Sequence, residues 1–266
     1  MRPAAAPVAA GPVAAALFRS PAPLAVAALL ALAGCGGDDA GQSPARAAET
    51  AVRTVTVPAG LPAEVPGRGT LTAHVRRDKF LWSRPGGGRR LARMARRTTF
   101  QSPRIVAVVR RRGDWIAVLA PELRNGQVGW VDGRRGVRLY RTRWSLEADL
   151  SRRRVTVRRG GRVVRGFRVA IGRPSAPTPT GRFAVTDRLT TGDDGGPYGC
   201  CVLALSGHQP SVPQGWGGGD RLALHATAAV QSIGHEASLG CLRTTNAIMR
   251  RLVQRVPLGT VMTIRR

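Results

Sequence analysis

The chain has 266 residues, enough for one large domain or two modest ones plus tails, and sets 42 Lys and Arg against 15 Asp and Glu for a net charge of +27. So basic a balance ordinarily suggests nucleic-acid binding, but the basic residues are nearly all Arg, are scattered through turns such as Arg110-Arg111-Arg112-Gly113, and stand in a chain with only 5% aromatic residues to stack on bases. No nucleic acid is therefore expected as a partner; an anionic envelope polymer or membrane surface fits the charge better, and a base-composition bias of the coding DNA accounts for it equally well.

Taken in order, Arg2 and Arg19 precede an apolar run, Leu24 to Ala33, that ends in Gly34-Cys35. The run is too short to span a bilayer, which needs about 20 apolar residues. Its charged, apolar and small-residue order is that of a secretory signal. Leu32-Ala33-Gly34-Cys35 resembles the bacterial lipoprotein cleavage box, which implies that residues 1–34 are removed, that Cys35 carries a lipid, and that the chain is anchored at the outer face of the cytoplasmic membrane. A plain secretory signal is the alternative. Residues 35–67 lack apolar periodicity and read as a flexible tether. Short β runs follow at Leu71 to Val75, Ile105 to Val109, Trp115 to Leu119 and Val128 to Val131. Residues 68–140 are thus expected to form a small β-barrel, and their strand order and Gly129-Trp130-Val131 ending resemble SH3-like modules.

From Trp144 the β pattern resumes. Leu146, Ala148 and Leu150 alternate with polar neighbours, as do Val155 and Val157, and Gly160-Gly161 supplies a hairpin turn. Phe167, Val169 and Ile171 continue the alternation, Pro177-Thr178-Pro179-Thr180-Gly181 interrupts it, and Phe183 to Val185 resumes it. The spacing predicts one helix from Thr245 through Val256, capped by Thr244 or Thr245 and ended by Pro257 and Gly259, with a closing strand from Val261 to Ile264. With Cys35 set aside, three cysteines remain: Cys200, Cys201 and Cys241. An odd count in an exported chain points to a free reactive thiol or an intermolecular bond. Adjacent cysteines rarely pair, because bridging strains the peptide between them, and the redox state of Cys200 and Cys201 is left open.

The chemistry concentrates in Leu222-Ala223-Leu224-His225 and, 16 positions after the His, Ser238-Leu239-Gly240-Cys241-Leu242-Arg243. A thiol needs a base or a positive field to become a thiolate near neutral pH; His225 can be the base, and a helix N-terminus just after Cys241 would add to the field. A buried structural Cys and a core His are the plainer alternative. The wider pattern resembles the L,D-transpeptidase catalytic (YkuD-type) family: a strand ending in His, a gap of this length, then Ser-x-Gly-Cys, an apolar residue and Arg. The Leu146-Glu147-Ala148-Asp149-Leu150 opening, Gly172, the Pro-Thr-rich segment and Pro257-Leu258-Gly259-Thr260-Val261 agree in order. The resemblance covers residues 144–266 and implies a mainly β catalytic domain with a short helix after the nucleophile.

That resemblance implies Cys241 as nucleophile, His225 as general base, the backbone at Gly240 and Cys241 as oxyanion donors, and Ala226 as the residue that orients the His through its carbonyl. It places Arg243 near the substrate carboxylate or the nucleophile loop and lets Ser238 shape that loop; Leu239 stands where many members have His. It further implies peptidoglycan stem peptides as substrate, a cysteine thioester intermediate, and no metal or organic cofactor. Tyr198 and His208 precede the His225 strand and are expected to line the substrate cleft, while His235 reads as a solvated loop residue and His74 as isolated. Other acceptors would make the site an L,D-carboxypeptidase or an exchange enzyme. A non-catalytic wall-binding lipoprotein, or one that binds metal through Cys200, Cys201, His208 and Cys241, is the reading from another class.

Overall fold

The structure, a computed structural model, describes residues 67–211 and 219–266. The expected signal peptide, the expected lipid site at Cys35 and nearly all of the expected tether lie outside these residues.

The first strands are β1 (Thr70–Val75), β2 (Lys79–Arg84), β3 (Gly87–Met94), β4 (Ile105–Arg112), β5 (Trp115–Leu119), β6 (Gly129–Asp132) and β7 (Val137–Thr142). They form one seven-stranded sheet in the order β3-β2-β6-β5-β4-β1-β7. Alternation along β1 and β7 turns Leu71, Ala73, Val75, Val137 and Leu139 toward a core that also holds Leu81, Met94, Val106, Ile116 and Val131. β2 and β3 were not expected from the sequence. Their outer positions are mostly exposed and carry Arg and Lys, so only Leu81 and Met94 give a buried signal.

The second half contains β8 (Trp144–Asp149), β9 (Arg154–Arg159), β10 (Arg162–Arg168), β11 (Ile171–Gly172), β12 (Gly181–Thr190), β13 (Cys201–His208), β14 (Arg221–Ala226), β15 (Glu236–Ser238), β16 (Leu242–Thr244), α1 (Asn246–Arg255) and β17 (Val261–Arg265). Eight of these strands run in the order β10-β9-β8-β17-β12-β13-β14-β16, and β11 pairs separately with β15. The closing strand β17 lies between β8 and β12, parallel to β8 with Met262 opposite Leu146, so the two ends of this half are zipped together. Thr245 caps α1 by accepting from the Ile248 amide, and the helix buries Met249 and Leu252 against β13 and β14.

The two halves meet through Ala107 and Leu119 of the first sheet and Ala184 and Val261 of the second. Buried polar groups tie the same seam. Thr98 Oγ1 donates to the fully buried carboxylate of Asp187, and Arg221, at the start of β14, donates to Thr186 Oγ1 and Leu205 O and faces Asp187 at 3.4 Å. Within the first half, Arg104 reaches Glu122 at 2.9 Å with only 5% of its side chain exposed. Removal from water dominates Arg221, lowering its pKa, and the neighbouring carboxylate opposes that shift.

Candidate active site

β14 is buried at every position, and its penultimate residue, His225, is 1% exposed. β16 runs parallel to it, with Leu224 opposite Leu242 and His225 opposite Arg243. Extending that register one step places Cys241 level with Ala223. The alternation of side chains then puts Cys241, Ala223 and His225 on one face. Cys241 packs with Val202 and Ala223, and Tyr198 lies against this cluster. The Tyr198 ring also rests on the His225 ring, 4.8 Å between centroids. The fold therefore brings Cys241, His225 and Tyr198 together from three segments. Among the described residues Cys241 is the cysteine that takes part in no disulfide.

His225 Nδ1 lies 2.6 Å from the carbonyl of Ala226, and this is the contact expected at Ala226. With the Nδ1 proton donated there, Nε2 is the nitrogen left to take a proton. Burial depresses His225 to about 4, the neighbouring Arg243 charge adds to the fall, and backbone bonds to Ala226 and Tyr198 oppose it. Burial likewise raises Cys241 to about 11, against a backbone bond from Ala223 and the Arg243 charge. At neutral pH the resting pair is thus a thiol and a neutral imidazole.

Ser238 holds the loop between β15 and β16. Without solvent exposure, its hydroxyl donates to Cys241 O at 2.6 Å and accepts the Gly240 amide at 3.0 Å. The Gly240 amide, expected to face the oxyanion, is spent inside the loop, which leaves Gly240 a shaping role. Gly240 has φ +114°, and a Cβ there would lie 2.6 Å from Gln209 Nε2. Gln209, 2% exposed, donates to Pro177 O. The Pro-Thr-rich segment backs the same loop: Thr178 Oγ1 accepts the Gly172 amide at 2.8 Å, and Arg173 N donates to Ser238 O at 2.9 Å. Thr178 was not singled out as site-shaping from the sequence, because only its distant partners reveal the role.

Arg243 is half-buried, and its Nε is buried without a hydrogen-bond partner. A buried unpaired guanidinium nitrogen beside the thiol suits a carboxylate ligand. No group of three or more His, Cys, Asp or Glu arranged to hold a metal occurs among the described residues.

Two further expectations are corrected, and one question left open is closed. The helix does not follow Cys241 directly; the three residues of β16 intervene, about 10 Å of extended chain, and a helix dipole acts only near its first turn. His208 does not join the site. Its Nδ1 meets Asp220 at 2.8 Å and its Nε2 meets Pro121 O at 2.8 Å, while its backbone pairs with the Asn125 side chain, so it fastens the seam between the halves. Cys200 and Cys201 are joined in a disulfide despite adjacency, with Cα atoms 3.7 Å apart. The turn before them is clamped by Asn246, whose Oδ1 accepts the Cys200 amide at 2.8 Å. With those sulfurs bonded to each other and His208 at the seam, the alternative metal set is not assembled. His235 is exposed, as expected of a solvated loop residue.

The family model for the L,D-transpeptidase catalytic domain, YkuD, matches residues 143–264, which include β8 through β16 and α1. The YkuD protein of Bacillus subtilis is 31% identical over 127 residues, 48% of this chain and 69% of that protein. This chain belongs to the YkuD-type L,D-transpeptidase family. Its Bacillus licheniformis relative is 30% identical over 121 residues, 46% of this chain and 65% of the relative. Among solved structures, an Enterococcus faecium L,D-transpeptidase aligns at 20% identity and a TM-score of 0.36 over 46% of this chain and 49% of that one. L,D-transpeptidase 3 of Mycobacterium tuberculosis aligns at 17% and 0.39 over 52% and 74%. The chain therefore spans about half the length of the Enterococcus protein. The matched transpeptidase domain holds Cys241, His225, Ser238 and Arg243, whereas β1 through β7 lie before it.

Proposed function

We propose that this chain is a cysteine-dependent acyltransferase that cross-links peptidoglycan stem peptides. The observation that carries the reading is the His225 ring held through Nδ1 to Ala226 O on the same face as the Cys241 thiol, which is in no disulfide. His225 Nε2 takes the Cys241 proton, and the backbone carbonyls of Ala226 and Tyr198 favour the imidazolium that results. The thiolate then attacks the carbonyl of the third stem residue. The tetrahedral intermediate collapses, the C–N bond to the terminal D-alanine breaks, and His225 returns the proton to the departing amine, leaving a thioester on Cys241. The side-chain amine of a second stem attacks that thioester, forms the new amide, and restores the thiol. Arg243, with its unpartnered Nε, holds the carboxylate of the donor stem.

The same reading assigns residues 1–34 as a lipoprotein signal peptide, 35–67 as a tether anchored by a lipid on Cys35, 68–140 as an SH3-like module, and 144–266 as the catalytic domain, with the mature chain at the outer face of the cytoplasmic membrane. Mass spectrometry of the purified chain with a disaccharide-tetrapeptide, with Cys241→Ala in parallel, tests the activity. A dimer lacking one D-alanine, absent from the variant, is the expected product. Tripeptide alone would make the enzyme an L,D-carboxypeptidase, and product in the variant would remove Cys241 from the mechanism.

A further inference from the structure

Alternation along β1 and β7 that sends Leu71, Ala73 and Val75 inward sends Thr72 and His74 outward, opposite Tyr140 and Arg138. This outer face forms the floor of two cavities that share Pro103. One, of about 280 Å³, is lined by His74, Arg76, Arg96 and Arg97. The other, of about 580 Å³, follows the seam with the transpeptidase domain, where Trp144, Arg143, Arg159 and Arg188 face Tyr140 and the Pro257-Leu258 turn. The wall is close: a Cβ on Gly259 would lie 2.9 Å from Thr72 Cγ2. No Asp or Glu lines either cavity, and the guanidinium groups of Arg76, Arg96, Arg138, Arg143, Arg159 and Arg188 form no ion pair with a carboxylate among the described residues. Burial first, and then the charges of Arg76 and Arg138, hold His74 below its usual pKa.

We propose that the two cavities that meet at Pro103, one from His74 and Arg76 and the other reaching Trp144 and Arg188, together bind a linear polyol-phosphate polymer, its phosphodiester oxygens paired with the arginines and its carbon chain laid on Pro103, Ile105 and Leu258. Guanidinium groups are suited to phosphate oxygens, and a channel bounded by two walls admits a single chain where a lipid surface cannot enter. Nucleic acid is disfavoured because Arg159 sits 5.6 Å over the Trp144 ring, on a face a base would stack against. The choice of an envelope polymer as occupant rests on the location proposed above; the groove does not.

The test is fluorescence anisotropy of the purified full chain with labelled poly(glycerol phosphate), beside single-stranded DNA of equal charge and uncharged dextran, across a salt series. Two triple variants empty the groove: Arg76→Ala with Arg96→Ala and Arg97→Ala, and Arg143→Ala with Arg159→Ala and Arg188→Ala. A control removes equal charge from elsewhere on the surface, with Arg112→Ala, Arg251→Ala and Arg255→Ala. All nine positions are exposed, so folding is checked by matched thermal melts. Either groove variant is expected to bind at least about tenfold more weakly than wild type, with a salt slope shallower by roughly one for each phosphate left without its arginine, while the control stays within about threefold. An equal loss in the control would reduce the effect to general charge attraction and overturn the proposal. Absence of wild-type binding, dextran binding as tight, or tighter DNA binding would overturn it too. Cys241→Ala should bind as wild type does, so a failure of transpeptidation leaves this result standing.

Discussion

Replacing Ser238 by Ala probes the loop that presents the nucleophile. The hydroxyl serves two buried backbone groups at once, the Cys241 carbonyl at 2.6 Å and the Gly240 amide at 3.0 Å, and Ser238 itself has no solvent exposure. Its removal leaves both groups unsatisfied, and each such loss costs about 1–3 kcal/mol. Because the loop can relax toward water, the lower part of the combined range applies, and Ser238→Ala is expected to lose about 2–4 kcal/mol of unfolding free energy. Urea denaturation at constant slope measures this as a fall in midpoint. The same variant should free the positive-φ turn at Gly240, so that Cys241, now 2% exposed, is alkylated faster while acyl transfer slows. A stability loss under about 0.5 kcal/mol with an unchanged alkylation rate would refute the argument, since the hydroxyl would then be holding neither group.

Other consequences are measurable in the same way. His225 is held at about 4 in the fold against 6.5 when unfolded, so between these values the unfolded chain carries more protons and stability falls as pH falls through the window, by up to about 3 kcal/mol. His225→Asn should flatten that part of the urea-midpoint profile; an identical profile in the variant would disprove the assignment. Arg243→Gln is expected to raise KM for a tetrapeptide donor about tenfold or more with little change in stability, because the substrate carboxylate no longer meets a charged donor. An unchanged KM would place the carboxylate elsewhere. Asp187→Ala strands Arg221, whose side chain is 9% exposed, and should cost about 3–5 kcal/mol while loosening the seam at Thr98. A loss below about 1 kcal/mol would show that Arg221 is satisfied by its carbonyl and hydroxyl partners alone.

Strand periodicity in β8 and β9, the Thr245 cap with the helix behind it, and the His225 to Cys241 spacing were legible in the chain, because each is a local pattern: alternation names the buried face, and a cap needs only its own turn. The family resemblance named the site residues from the same short segments. β2 and β3 escaped because an exposed, Arg-rich strand leaves almost no apolar period to read. The helix dipole was assigned to Cys241 because three residues of β16 look no different from a loop until β14 is seen to pair with them. Pairing of Cys200 with Cys201, the removal of His208 to the seam, and the placement of Gln209 behind Gly240 likewise depended on partners remote in the chain. By itself the sequence determined which faces are buried and which residues can do thiol chemistry. Only the tertiary structure decided which of those residues meet, since register between distant strands is set by closing the whole sheet and not by any one segment.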